Sequence, residues 1–145
     1  KNIIYSYQDN RKGKKTSKTI TDVDPCGVDL MSTFYWMRTL DINNEKKGDK
    51  IPVKMAIDDK EYDMYVRYEG KEVYETKLGK FNCIKLKPLL QEGEIFKEGE
   101  GMTLWITDDE NRIPVRIESE LRVGRITCDL KAYGGNKYPF TSKVN

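Results

Sequence analysis

Two polar residues that could bind an anion, Ser32 and Arg38, bracket the apolar run FYWM in the only segment with a helical pattern. Arginine holds carboxylate and phosphate groups through two parallel N–H···O bonds, so this pair could grip an anionic ligand. Alternatively, Arg38 could form an ion pair with a carboxylate of a neighbouring strand and fix the helix in place. The chain has 24 acidic residues, which favours the structural pair and leaves ligand binding open.

Three aromatic residues, Tyr65, Tyr74 and Trp105, lie at strand positions of opposite parity to the main apolar pattern. Aromatic rings on the polar side of a sheet can stack on sugars or line an apolar groove. Packing under loops or against further strands explains the same pattern equally well. The candidate ligand-binding residues are therefore Arg38, Ser32, Tyr65, Tyr74 and Trp105.

The acidic run DDEN at 108–111 could in principle hold a hard cation through its oxygens. It lacks the spaced ligands and the glycine of a calcium loop. Aspartate and asparagine also bond their own backbone in turns. This run and the pair Asp58-Asp59 therefore predict hairpin turns, and we expect no metal site.

The chain has no histidine and three cysteines, at positions 26, 83 and 128. Ser-His and Cys-His catalytic sites and His-ligated metal sites cannot be built without histidine. Cys83 alternates with lysines and Cys128 with apolar residues, so the two thiols are predicted on different faces and unpaired. We expect three free, buried or half-buried thiols, no catalytic residue, no cofactor and no enzymatic activity.

The charge balance argues against a polyanionic partner, because 26 basic and 24 acidic residues leave a net charge of only +2. The densest basic run, at 11–18, has no interleaved aromatic residues for base stacking and predicts a solvated hairpin tip. No apolar run approaches the roughly 18 residues of a membrane span, and the chain opens without a signal-peptide pattern, as a trimmed chain also would. We expect no nucleic-acid partner and no membrane span.

The elements that must position these residues are one helix and many strands. An amphipathic helix is predicted over about residues 28–40, with Leu30, Phe34 and Met37 on one stripe and Tyr35 beside it. From Ile51 onward the apolar pattern alternates with period two. The predicted turns of this region are at 58–61, Gly70, Gly79 and 108–111, with an exposed glycine- and glutamate-rich stretch at 91–101.

About nine strands are predicted, including two before the helix, and consecutive hairpins favour an antiparallel meander. A sheet this wide should coil or fold upon itself, with the helix packed on its concave side. Pro114 cannot donate a ladder hydrogen bond, so it should lie at a strand start, a bulge or an edge. The length of 145 residues suits a single domain over residues 1–145.

Three segments, DLMSTFYWMR, GKFNCIKLKP and LWITDDENRIPVRIESELRVGRI, together resemble the domain-of-unknown-function family 3108. The resemblance implies a β-meander folded upon itself, similar to the half-barrels of periplasmic lipoprotein carriers. It also implies an exported protein, periplasmic or associated with the outer membrane of a Gram-negative bacterium, and no established activity. The resemblance also leads us to expect that a block of N-terminal strands of the family is absent before Lys1, so that the sheet is incomplete or the chain is a fragment.

Two function classes follow. The first is a non-enzymatic envelope module that binds or carries an amphiphile such as a lipid, lipoprotein or polysaccharide. The second is a structural or assembly protein of the envelope, whose partner is another envelope protein. A continuous apolar cavity between helix and sheet would favour the carrier, whereas a fully filled core would favour the assembly protein.

Overall fold

A computed structural model describes residues 3–9, 16–23, 30–57, 60–89, 101–121 and 123–144. Several predicted features lie outside the described residues: the basic residues at 11–15, Cys26, the helix residues 28–29, the acidic pair 58–59 and the stretch 91–100.

The structure is mainly β and antiparallel. Its strands are β1 (Ile3–Asp9), β2 (Thr16–Val23), β3 (Lys50–Ile57), β4 (Lys60–Thr76), β5 (Gly79–Pro88), β6 (Met102–Thr107), β7 (Pro114–Glu120), β8 (Arg125–Asp129) and β9 (Lys143–Val144), and its helix is α1 (Leu30–Met37). Strands β3 to β8 are neighbours in chain order, and β9 pairs with the start of β5. β1 and β2 form a two-stranded sheet of their own. The predicted meander is confirmed, but it is an open sheet of seven strands instead of one sheet of nine.

One side of the seven-stranded sheet carries the apolar residues that the alternation predicts. We call this side the helix face, because Met37 of α1 and the following Ile42 pack on it. Side chains of period-two strands point alternately to the two faces, so each strand contributes every second residue. The buried strand residues of the helix face are Val53, Met55, Met64, Val66, Tyr68, Ile84, Leu86, Leu104 and Ile106.

The turn predicted at Gly70 is wrong. β4 continues through this position as a strand of 17 residues, and its register with β5 shifts between Tyr68 and Gly70. Gly70 has φ +96°, a conformation that only glycine adopts without steric cost, and it absorbs one extra residue as a β-bulge. Two predicted strands are therefore one strand, and β9 is a strand that the sequence pattern did not indicate.

The turn predicted at Gly79 is confirmed between β4 and β5. Gly79 has φ +115°. The hydroxyl of Thr76 accepts the backbone N–H of Leu78 at 3.0 Å and donates to the carbonyl of Gly79 at 3.1 Å. These bonds close a two-residue connection, which holds the two longest paired strands in register.

A second bulge lies where Pro114 begins β7, as one of the positions predicted for this proline. Trp105 pairs with Arg116 whereas Ile106 pairs with Pro114, so Val115 has no partner opposite it. Val115 is buried on the other side of the sheet, in a cluster with Phe81, Cys83 and Trp105. An unbroken alternation would have placed Val115 with Ile117 on the helix face.

We call the side that carries Phe81, Cys83, Trp105 and Val115 the tail face, because the C-terminal segment packs on it. Phe140 stacks on Tyr133 with ring centroids 4.3 Å apart. Both rings meet Phe81 edge-on, at 5.8 Å for Phe140 and 6.2 Å for Tyr133. The sheet is therefore covered on two sides, although the sequence pattern indicated only one.

α1 is shorter than the predicted helix and ends at Met37. The backbone N–H of Arg38 and of Thr39 bond to carbonyls three residues earlier, a tighter geometry that closes the last turn. Met37 is buried and Phe34 is half-buried against the same core, so the predicted apolar stripe is confirmed for these two residues. Trp36, which is not part of that stripe, is also half-buried against this core. None of the helices formed by described residues has the length or apolar character needed to cross a membrane.

The prediction of free thiols is confirmed for Cys83 and Cys128, whereas the predicted burial is confirmed for Cys83 and wrong for Cys128. Both thiols are free, and Cys83 is fully buried on the tail face. Cys128 is exposed, because β8 is a terminal strand of the sheet and all five of its residues are exposed. An apolar alternation predicted a covered face, but the described residues place no second layer over β8.

Candidate functional site

The predicted turn at 108–111 is confirmed, and several side-chain hydrogen bonds meet at its residue Asp109. One oxygen of Asp109 accepts the hydroxyl of Thr107 at 2.8 Å and the backbone N–H of Asn111 at 3.0 Å. The other oxygen accepts the hydroxyl of Ser142 at 2.8 Å. The carboxylate thus ties both ends of its own turn to the C-terminal segment. Among the described residues, no group of three or more acidic or thiol side chains is placed to hold a metal ion.

Asn111 extends this connection. Its side-chain amide donates to the carbonyls of Tyr138 and Pro139 at 3.1 and 3.2 Å, and its side-chain oxygen accepts the N–H of Tyr138 at 3.0 Å. The next residue, Arg112, has φ +49°, which is uncommon for a residue other than glycine. The surrounding hydrogen bonds over-determine this backbone conformation, as strained positions in folded proteins require.

The side chain of Arg38 binds backbone carbonyls of this turn. Its Nε donates to the carbonyl of Arg112 at 3.0 Å and its Nη2 to the carbonyl of Asn111 at 2.7 Å. Arg38 does connect the end of the helix to a neighbouring element, as one of the two alternatives expects. Its partners, however, are two carbonyl oxygens and not a carboxylate. Since Arg38 directly follows α1, these bonds tie the end of the helix to the β6–β7 turn.

An open apolar groove of about 320 Å³ lies beside Arg38, between α1 and β7. We call it the Arg38 groove; its lining residues are Phe34, Tyr35, Arg38, Pro114 and Ile117. Tyr35 is 67% exposed, which is unusual for so large a ring. A second hollow of about 330 Å³ lies on the other side of Arg38, against residues 134–138. The groove can accommodate an apolar chain, and Arg38 in its wall can meet a negative group.

Ser32 is exposed on α1. Residues six positions apart on an α-helix differ by roughly 120° in direction, so Ser32 and Arg38 do not share one side of α1. Ser32 also does not line the Arg38 groove. The predicted Ser32–Arg38 pair is therefore not brought together.

Tyr74 and Trp105, in contrast, meet on the tail face, with ring centroids 5.0 Å apart and planes tilted by 43°. The indole N–H of Trp105 donates to Glu72 at 2.5 Å, and Lys85 lies 3.3 Å from the same carboxylate. Lys85 also lies over the indole ring, 5.2 Å from its centroid. A buried indole with a satisfied N–H and a cation above it is well fixed, and Trp105 offers little ring surface to a sugar.

Arg116 borders this aromatic pair. Its guanidinium lies 5.5 Å from the Tyr74 centroid and pairs with Glu118 at 2.5 Å and Asp129 at 2.8 Å. Burial alone would lower the pKa of Arg116, but the bonds to Glu118 and Asp129 outweigh it and raise that pKa. Burial raises the pKa of Tyr74 above its ordinary value. Arg116 is therefore a permanent cation, and Tyr74 stays neutral at physiological pH.

A cleft of about 870 Å³ lies next to Arg116, between the β4–β5 turn and β8. Its walls carry charges of both signs, Glu75 and Asp129 against Lys77, Arg116 and Lys131, together with two threonines, Thr76 and Thr127. The size is that of a small-molecule site, but the wall is more polar than such sites usually are. The third predicted aromatic, Tyr65, is half-buried on β4 with Lys50 4.3 Å above its ring and is not part of this cleft.

The buried thiol of Cys83 does not supply a nucleophile. Burial raises the pKa of the Cys83 thiol to about 12, so it stays protonated at neutral pH. Cys83 is also enclosed by Phe81, Trp105 and Val115. A protonated, enclosed thiol is a packing residue.

Comparison with known proteins identifies the family of this chain. The family model described as "Protein of unknown function (DUF3108)" matches residues 1–131. The chain belongs to this family. A search of curated proteins and a search of solved structures each found no match. Because the DUF3108 match covers β1 to β8, the described meander, α1 and the 108–111 turn are all parts of the family domain.

Residues that sequence reasoning missed are Glu72, Lys85, Arg116 and Asn111. Arg116 lies in line with Lys85, Trp105 and Asp129 across four strands. That row exists only in the observed register of β5 to β8, which the bulge at Val115 shifts between β6 and β7, and the sequence alone did not provide it. Asn111 was recognised as a turn residue, but its partners are 27 and 28 positions away.

Proposed function

We propose that this DUF3108 domain is a non-enzymatic binding module for an amphiphilic ligand with a negative group, such as a lipid or an acylated lipoprotein. One observation carries the proposal: the Arg38 groove combines a mostly apolar lining with one cationic residue, Arg38, in its wall. The apolar part of the ligand lies against Phe34, Tyr35 and Ile117. The negative group meets Arg38, whose Nη1 makes no hydrogen bond within the described residues.

The burial of the core defines where such a ligand binds. Met37, Met55, Leu86 and Leu104 are fully or almost fully buried, so the described core between α1 and the sheet is filled. A filled core is the outcome that favours the assembly protein over a carrier with an internal cavity. The proposed ligand therefore lies outside the core, in the open groove at the margin of α1. The proposal also takes the sheet to be coiled, with α1 on its concave side, as in lipoprotein carriers.

The location is part of the proposal. We place the protein in the periplasm or at the outer membrane of a Gram-negative bacterium, in keeping with the resemblance described above. Fractionation of cells that express the full-length protein tests this placement. Recovery in the cytoplasmic fraction would contradict it.

Binding is tested with a fluorescent long-chain fatty acid and the variant Tyr35→Ala. Tyr35 is exposed, so its removal should leave the melting temperature nearly unchanged while it removes part of the groove wall. We expect affinity to fall about tenfold, the equivalent of roughly 1.4 kcal/mol. Val73→Ala is the matched control, because Val73 is 55% exposed and lies outside the groove. Equal affinity of both variants and the wild type would reject the groove as the binding site.

A second candidate, an assembly protein of the envelope, is favoured by the two ends of the open sheet. β3 and β8 each pair with one neighbour among the described residues. Unpaired strand edges are templates for pairing with another chain. Native mass spectrometry of the protein purified from its own envelope separates the two candidates, because it shows either a bound amphiphile or a bound protein.

A further inference from the structure

β8 is the most exposed element of the sheet. All five of its residues are exposed, and among the described strands it pairs only with β7. Natural sheets protect an edge by keeping it short, by charged side chains, by a bulge or a proline, or by a covering segment. β8 has only five residues and carries Arg125 and Asp129, but the opposite signs of these two charges allow pairing with a strand of complementary charge. β8 is regular over its whole length and contains no proline. Its outer edge is therefore ready for another strand.

The ladder with β7 shows which backbone groups of β8 point outward. Leu121 donates to Gly124 at 3.1 Å, and Leu130 donates to Val115 at 2.9 Å. In an antiparallel pair, hydrogen-bonded positions alternate, so the even-numbered residues 124–130 direct their backbone groups toward β7. Arg125, Thr127 and Asp129 consequently direct their N–H and C=O groups to the open edge.

The sequence of β8, RITCD, is complementary to itself when it is read in opposite directions. We propose that β8 pairs antiparallel with β8 of a second copy of this chain, around a two-fold axis at Thr127. In that register Arg125 lies opposite Asp129 of the second copy, and Thr127 lies opposite its own equivalent. The N–H and C=O groups of Arg125, Thr127 and Asp129 then all have hydrogen-bond partners in the second copy. At each end of the strand pair, an arginine of one copy lies opposite an aspartate of the other.

The charged side chains have capacity for this contact. The Arg125 side chain is 59% exposed, and its present partner Glu120 is 3.8 Å away. Asp129 is 51% exposed and uses one oxygen for Arg116, so its second oxygen is open to an arginine. Cross-strand pairs of opposite charge stabilise a sheet, and like charges oppose it. A register moved by two residues would place Arg125 opposite Thr127 and lose both charge pairs.

The same pairing brings exposed apolar residues together. Ile126, 51% exposed, would lie opposite Cys128 of the second copy on the helix face, next to Ile117. One strand pair buries less surface than a permanent dimer requires, so we infer a weak dimer that forms as concentration rises. The dimer does not depend on amphiphile binding in the Arg38 groove, and its test does not use that groove.

Sedimentation velocity over micromolar to millimolar concentrations tests the dimer, with Thr127→Pro as the disrupting variant. Proline removes an N–H that points outward, so the β7–β8 ladder keeps its hydrogen bonds. We expect the wild type to dimerise and Thr127→Pro to stay monomeric, with at least a tenfold weaker association. Thr127→Val, which keeps the N–H, is the matched control and should dimerise like the wild type. Monomeric wild type, or dimerisation of Thr127→Pro equal to the wild type, overturns the proposal.

Two further variants guard against a folding defect in Thr127→Pro. Arg125→Glu leaves the backbone intact and places like charges opposite each other, so it should weaken the dimer severalfold, most strongly at low salt. Thr127→Cys in a Cys128→Ser background should form a disulfide-linked dimer under mild oxidation, because the two equivalents face each other. Undiminished association of Arg125→Glu, or no cross-link at position 127, rejects the register.

Discussion

The helix face and the tail face of the sheet bury similar kinds of residue but are covered in different ways. The helix face is covered by Met37 and Ile42, whose contacts with the sheet are apolar. The tail face is covered by Tyr133 and Phe140, and their segment is held by hydrogen bonds with Asp109, which accepts from Ser142, and with Asn111, which donates to Tyr138. The helix face thus depends on continuous hydrophobic burial, whereas the tail face depends on a polar turn that positions an aromatic cover.

Phe81→Ala should have the largest effect, because it empties the centre of the tail face. The ring is fully buried and contacts Tyr133 and Phe140. We expect the free energy of unfolding to fall by about 3–5 kcal/mol, the usual cost of such a cavity. Urea unfolding measures it, and Tyr138→Ala, an exposed aromatic of the same segment, is the control. A loss below about 1 kcal/mol would mean that the C-terminal segment does not pack as described.

Asp109→Ala should loosen the cover of the tail face and leave the cover of the helix face in place. It removes the acceptor of Thr107, Asn111 and Ser142, and we expect a loss of about 2–4 kcal/mol, since buried donors are left unsatisfied. The C-terminal segment should become sensitive to limited proteolysis while the core of β3–β6 stays protected. Glu110→Ala, an exposed neighbour in the same turn, should change neither property. Uniform protection of both regions in Asp109→Ala would contradict the difference between the faces.

Arg38→Ala tests the hydrogen bonds that tie the end of α1 to the β6–β7 turn. Two charge-assisted bonds to carbonyls are lost, and we expect destabilisation of about 1.5–3 kcal/mol. Arg38→Lys should recover only part of this, because an ammonium cannot reproduce the forked geometry. Thermal melts of the two variants provide the measurement. A neutral Arg38→Ala would show that apolar packing alone holds α1.

Cys83 gives the smallest effect and a dependence on pH. Burial raises its pKa to about 12, above the ordinary value of 9.0, so the unfolded chain releases this proton at lower pH than the folded protein does. Stability should therefore be unaffected below about pH 9 and fall as pH rises toward 12, by up to about 1.4 kcal/mol per pH unit. Urea unfolding at about pH 8 and about pH 10 should show a steeper loss for the wild type than for Cys83→Ala. Equal slopes would place the thiol in contact with solvent.

The sequence predicted the helix face well, because its physical signal is local. Val53, Met64 and Ile84 alternate with polar residues in strands whose turns are short, so their burial follows from period and parity alone. Met37 was likewise placed in the core by helical spacing. The bulge at Gly70 escaped prediction, because a glycine signals a turn and a bulge equally. The bulge beside Pro114 was one of three positions predicted for this proline, and the sequence did not choose among them.

The candidate site was predicted in its residues but not in its arrangement. Tyr74 and Trp105 were correctly placed opposite the main apolar face, and the structure brings them together. Ser32 and Tyr65 lie away from this pair, because a sequence pattern predicts the face on which a residue lies and not its distance from other residues. Arg38 was expected to find a carboxylate; it bonds carbonyls at the β6–β7 turn, more than 70 residues away in the chain, and no local pattern could indicate them.

The positions of the two tryptophans give the protein a built-in optical report on each cover. Trp36 packs at the helix face and Trp105 lies within the tail face, and the chain contains no other tryptophan. Replacing either by phenylalanine leaves a single emitter on one side of the sheet. Because indole emission shifts to longer wavelength when water reaches the ring, each single-tryptophan protein reports the opening of one side only. The order in which the two covers detach can thus be read from intrinsic fluorescence, without an added dye.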